Sequence, residues 1–239
     1  MVVLLSLIVC HLLGDFCLQR YSWVIDKEEN KLSSKGLYYH ILIHTALLAV
    51  FVVAFPMCWI GALVILLIHF AIDSLKVCAT NSSNKIGLFF LDQFLHLAVI
   101  FGVYAYYFPL PTGWLSKEIV NYSLLLINCV IFITYGASVI IQVVISKWIP
   151  EKKEGKQESL QGAGKLIGIV ERLLVFGFAA TANWEVIGFL LAAKSVFRFG
   201  DLREAKDRKL TEYILIGTLL SFGLAIIAGA VYTQIIKQW

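Results

Sequence analysis

Long apolar runs constrain this chain more than any other feature. Stretches at about 2–19, 36–55, 57–76, 86–108, 119–146, 165–182, 184–199 and 211–236 are dominated by Leu, Ile, Val, Phe and Ala. Most have the length of helix, roughly 20 residues, that a bilayer core requires. Inside lipid the backbone must satisfy its own hydrogen bonds, and without alternation of polar and apolar residues these runs predict helices, not barrel strands. Composition agrees: 59% of the 239 residues are hydrophobic and only 15% are charged, well away from a soluble domain. The expectation is an all-α, polytopic membrane bundle of about eight helices.

The segments fall into two halves. Residues 1–110 form the first and 117–239 the second, with a polar, glycine-bearing stretch at 147–164 (KWIPEKKEGKQESLQGAG) reading as a flexible cytoplasmic linker. The fifth run is long enough to tilt or project. The seventh is short, and its cations Lys194 and Arg198 mark it as a candidate re-entrant segment. The N-terminus lacks a basic leader and a small-residue cleavage site, so it reads as a membrane helix and not as a signal peptide. The five cysteines show no CxxC spacing and read as small buried hydrophobes.

Basic residues set the orientation. Nearly all of the 20 Lys and Arg lie in alternate connections: Arg20, Lys27, Lys31 and Lys35; Lys76 and Lys85; Lys147 to Lys165; and Lys194 to Lys209. The opposite connections carry only Lys117 and Lys237. The positive-inside rule then predicts both termini outside the cytoplasm. The net charge of +4 reflects these loops and carries no nucleic-acid signal.

All five histidines lie in the first 96 residues, and each has a His or Asp four positions away: His11/Asp15, His40/His44, His69/Asp73 and Asp92/His96. Spacing of four places both side chains on one helix face, one turn apart. A single histidine would find such a partner by chance roughly one time in ten, so five of five is a strong pattern. Counted from the nearest basic residue at 1.5 Å per residue, every pair sits roughly 5–16 Å inside the same leaflet. HLLGDF at 11–16 resembles HFAID at 69–73, which reads as two repeated hairpins, each giving two pairs to one central site.

Ionisable groups in hydrocarbon face a bundle interior or water and mark function. Imidazole and carboxylate together suit a divalent metal, zinc first, with iron or manganese as the other fits. The expected ligands are His11, His40, His44, His69, Asp92 and His96, with Asp15 and Asp73 as candidate catalytic bases. Four pairs suffice for two metals, or for one metal with a supporting set of His–Asp partners. A hydrogen-bond network among the same groups is the bland reading. In the second half, Glu171, Arg172, Lys194 and Arg198 are expected to bind an anionic head group, or else to neutralise one another.

At these motifs the chain resembles the membrane family catalogued as domain of unknown function 3307, through HLLGDFCLQ at 11–19, HILIH at 40–44, HFAIDSLK at 69–76 and LDQFLH at 91–96. GKLIGIVER at 164–172, LLAAKSVFRF at 190–199 and EYILIGTLLSF at 212–222 resemble longer members. The resemblance implies a bacterial inner-membrane protein and supplies no activity. In style of site alone, the pairs are similar to the zinc site of alkaline ceramidases and adiponectin receptors, although no motif order matches.

The expectation is therefore a membrane-embedded metal-dependent hydrolase near the cytoplasmic leaflet, acting on a lipid or lipid-linked substrate. One alternative is a divalent-metal or proton transporter or channel. Others are a non-catalytic scaffold or sensor docking a soluble cytoplasmic partner, and a di-iron oxidase, which would want adjacent histidines that are absent here.

Overall fold

The computed structural model describes residues 1–81, 83–108, 122–148, 162–205 and 208–237, with the side chains of 197–205 and 208 outside the description. The described residues are helical, with no strand among them. They divide into two compact units, Met1–Ile131 and Phe132–Trp239.

In the first unit, α1 (Val2–Leu12) runs into a π-helical turn, Leu13–Cys17. The chain then bends by 79° into α2 (Tyr21–Asn30). It continues through α3 (Lys35–Ala54), α4 (Trp59–Ala79), α5 (Lys85–Tyr107) and α6 (Tyr122–Ile131). The polar stretch after α1, expected as a plain loop, is thus partly helical. YSWVIDKEEN at 21–30 is too charged to cross a membrane, yet it forms a short helix on which Lys27 is buried and Tyr21 and Ile25 are exposed. Ser34 caps α3 by accepting from the Leu37 amide at 3.1 Å. Phe55 and Pro56 close the tight turn between α3 and α4.

Helices α1, α3, α4 and α5 enclose two different interiors. One half is an apolar cluster built on Leu4, Leu7, Leu48, Phe51, Ile65, Ile100 and Tyr104. The other half, one to two turns along the same helices, holds the histidines and aspartates. The outward faces are apolar: Leu42, Val50, Val53, Ile60, Leu63, Leu67, Phe94 and Phe101 are exposed. A surface this apolar suits lipid, not water.

The second unit begins with a π-helical turn, Phe132–Gly136, and α7 (Ala137–Ile145). It continues with α8 (Ala163–Ala180), α9 (Trp184–Ala205) and α10 (Arg208–Lys237). Its core joins Val175, Ala179, Ile187, Phe222 and Ala225. Gly229 lets α10 approach α8, because a Cβ there would lie 2.6 Å from that of Ala179.

Helices occur in all eight expected segments, but fewer qualify as spans. Five among the described residues are long and apolar enough to cross a membrane, or six if the bent pair of α1 and α2 counts as one. Helix α8 carries Lys165, Glu171 and Arg172, and α9 carries several further charges, which lowers their claim to cross. Residues 109–121 and most of the stretch read as a linker at 147–164 lie outside the described residues.

Candidate metal centre

The four i, i+4 pairs come from four different helical segments and converge. His11 and Asp15 arrive from α1 and its π turn, His40 and His44 from α3, His69 and Asp73 from α4, and Asp92 and His96 from α5. The five imidazoles pack into one cluster: ring centroids are 3.9 Å apart for His69 and His96, 4.0 Å for His44 and His69, 4.6 Å for His40 and His44, and 5.4 Å for His11 and His96. All five are buried.

Asp15 lies at the middle of this cluster. Its Oδ1 is 2.9 Å from His44 Nε2, 3.6 Å from His40 Nε2 and 3.7 Å from His69 Nε2. His40 Nε2 and His69 Nε2 face each other at 3.2 Å. The π turn explains how Asp15 gets there, since a five-residue turn rotates it away from the ideal face of α1. The i, i+4 contact back to His11 Nδ1 is correspondingly loose at 3.7 Å.

Two further donor groups adjoin the first. The donor atoms of Asp15, His40, His44 and His69 all lie within 4.8 Å of one another, as do those of His69, Asp73 and His96, and those of Asp15, Asp92 and His96. His11, also expected as a ligand, belongs to none of these groups. Its Nε2 meets the Gln93 amide oxygen at 3.3 Å instead, which makes it a partner of a partner.

Three polar side chains that the reading for metal ligands did not single out complete the centre. The Gln93 amide donates to Asp15 Oδ2 at 2.7 Å and to Asp92 Oδ2 at 3.2 Å, so one NH2 group ties two carboxylates together. Lys27 Nζ donates to Asp73 Oδ2 at 2.8 Å, and Lys76 Nζ to Asp92 Oδ2 at 2.7 Å. Both lysines count among the basic residues of the cytoplasmic connections. Lys27 is buried, because the 79° bend folds α2 back over the end of the bundle. Gln19, its amide nitrogen turned to the Asp15 carbonyl at 3.0 Å, accepts from Lys27 at 3.0 Å. The positive-inside count covers these lysines but cannot tell a solvated cation from a paired one. Gln93 carried a signal in its place between Asp92 and His96.

Some buried atoms in the centre have no hydrogen-bond partner: both ring nitrogens of His96, His40 Nδ1 and Asp92 Oδ1. Beside the rings is a cavity of about 20 Å³, room for one water-sized occupant. His11, His44, His69 and His96 line one part of it, and Leu7, Leu48, Ile65 and Ile100 another.

In the second unit the expected head-group residues behave differently from one another. Glu171 and Lys194 form an ion pair at 2.5 Å and are partly exposed. Arg172, expected beside them in a clamp, does not join them. It is buried, and its guanidinium donates to the carbonyls of Ile133 and Thr134 and to the hydroxyls of Ser138 and Ser221. It staples α8 to the π turn at Phe132–Gly136 and to α10. The side chain of Arg198 lies outside the described residues.

Comparison with curated proteins and with solved structures finds no match. A family model described as protein of unknown function (DUF3307) matches residues 3–126, which takes in more than half of the chain and every histidine and aspartate of the centre. The chain therefore belongs to the DUF3307 family.

Proposed function

We propose that the His/Asp centre holds a divalent metal, and that the protein is a membrane-embedded metal-dependent hydrolase acting on a lipid or lipid-linked substrate near the cytoplasmic leaflet of a bacterial inner membrane. The observation that carries this reading is the spacing of donors. Two ligand atoms at 2.0–2.1 Å from one tetrahedral ion lie about 3.3–3.4 Å apart. The distances given above among Asp15, His40, His44 and His69 run from 2.9 to 3.7 Å. Two neutral imidazoles facing nitrogen to nitrogen at 3.2 Å can share only one proton, or can share a cation. Three imidazoles and one carboxylate suit zinc.

In this reading Asp15 is a ligand rather than the base. Asp73 lies outside the four-donor set, 3.4 Å from His40 Nε2, and takes the proton. Lys27 holds it in place, and Gln19 in turn holds Lys27. A bound ion would act as a Lewis acid and make water a better nucleophile. The cavity beside His44 and His69 has room for that water.

Two further features support this reading. Lys27, Lys35, Lys76 and Lys85 all belong to the end of the unit that holds the centre, which favours the cytoplasmic leaflet. The apolar cluster fills the other half, which favours a site open to one side over a path for transport. The test is to incubate the zinc-loaded protein in mixed micelles with inner-membrane lipid extract and follow products by mass spectrometry. Wild type should release products and Asp73→Asn should not, although it keeps its metal. Equal product from both would overturn the assignment of Asp73, and none from a metal-loaded wild type would overturn the hydrolase reading.

A further inference from the structure

We propose a second metal position next to the first, made by Asp92, His96 and Asp15, with Asp15 bridging the two ions. The inference rests on the first site being a metal site and extends it to a two-metal centre.

The argument starts from atoms that have nothing to bind. His96 Nε2 and Asp92 Oδ1 are buried without a hydrogen bond, 3.7 Å apart. Buried polar atoms left unmatched are costly, so a native fold seldom keeps them without a ligand. Neither is a stray at the edge of the bundle, since His96 is 3% exposed and Asp92 2%. Asp92 is also oriented by its neighbours. Lys76 and Gln93 both occupy its Oδ2, so Oδ1 is the oxygen turned to His96.

Sharing decides which third donor completes the set. His69, Asp73 and His96 also lie close together, but His69 Nε2 already faces His40 in the first set. An imidazole nitrogen has one lone pair, so it serves one ion. A carboxylate has two oxygens with about four lone-pair sites. Asp15 offers Oδ1 to the first set and keeps Oδ2, which Gln93 holds at 2.7 Å on the side of Asp92. Asp15, Asp92 and His96 have donor atoms within 4.8 Å of one another. Gln93 then acts as a positioning residue for both carboxylates.

The two positions differ in chemistry. The first has three imidazoles and one carboxylate, while the second has two carboxylates and one imidazole. More oxygen shifts preference from zinc toward manganese or iron. Paired ions are suited to phosphoester chemistry, where one can polarise the scissile group and the other orient the attacking water. A phosphate-bearing lipid is therefore the substrate class this centre would take.

The test is metal stoichiometry on the full chain in detergent, stripped with chelator and reloaded with Zn²⁺ and then Mn²⁺. Wild type should hold two metals per chain. His96→Gln and Asp92→Asn should each fall to one, losing Mn²⁺ and keeping Zn²⁺. Should Asp92→Asn fail to fold for want of a partner for Lys76, His96→Gln carries the test alone. One metal in wild type, or two in His96→Gln, overturns the second position and leaves the first standing. No metal in wild type overturns both.

Discussion

Gly14 lies flat against the imidazole of His44: a Cβ added at Gly14 would fall 2.3 Å from His44 Nε2 and 2.4 Å from its Cε1. Only a residue without a side chain lets the π turn of α1 come this close to α3. Gly14→Ala should therefore push His44 off Asp15, at a cost of about 1–3 kcal/mol from overpacking. Metal content and melting temperature should fall together, as measured by elemental analysis and by thermal unfolding in detergent. An unchanged metal content would mean that the ring can move aside without loss.

Lys27 and Asp73 form a buried pair at 2.8 Å. Removing one partner leaves the other charge without compensation, which costs about 3–5 kcal/mol. Lys27→Met should be strongly destabilising on its own. Lys27→Met combined with Asp73→Asn should recover most of the loss, because no lone charge remains. A double variant no better than the single one would show that Lys27 matters through packing of α2 and not through its charge.

Helix positions and the convergence of the four pairs were legible in the sequence because each rests on a short period. Apolar length gives the helices, and i, i+4 spacing gives the faces. What escaped depends on features with no period. The 79° bend after Cys17 carries Lys27 into the centre, and nothing in YSWVIDKEEN distinguishes a lysine that folds inward from one that faces water. The π turn at Leu13–Cys17 changes the partner of Asp15 from His11 to His44. Arg172 was read together with Glu171 and Lys194, but its acceptors are the main-chain carbonyls of a second π turn, far away in the sequence. Backbone acceptors leave no mark in a reading based on side chains.

Arg172 and Glu171 are neighbours in sequence with unequal roles. Arg172 satisfies four acceptors in the interior of its unit, and lysine cannot reproduce that planar fork. Arg172→Lys should cost about 1–3 kcal/mol, the range for buried polar groups left unmatched. Glu171→Gln loses a partly exposed ion pair and should cost no more than about 1 kcal/mol. Thermal unfolding of the two variants side by side checks the order, and a larger effect from Glu171→Gln would reverse the assignment.

Membrane topology follows from parity. Six or eight crossings return the chain to the side on which it began, and five do not. With the basic connections inside, a reporter fused after Trp239 should be extracytoplasmic and one inserted at 152–159 cytoplasmic. A cytoplasmic reporter after Trp239 would indicate a miscounted crossing between the linker and Trp239, with the charged helix at 184–199 as the first place to look.

The central claim is that this histidine cluster binds metal and is not only a hydrogen-bond network. His44 separates the two most directly, since of the histidines its Nε2 comes nearest to Asp15, at 2.9 Å. His44→Gln keeps a hydrogen-bonding group, whereas His44→Ala keeps none. The measurement is bound metal per chain for wild type and both variants, purified without chelator, beside their melting temperatures in detergent. The account predicts metal in wild type and its loss from the four-donor position in both variants, even where the Gln protein stays folded. A metal-free wild type, with His44→Gln as stable as the parent, would contradict it.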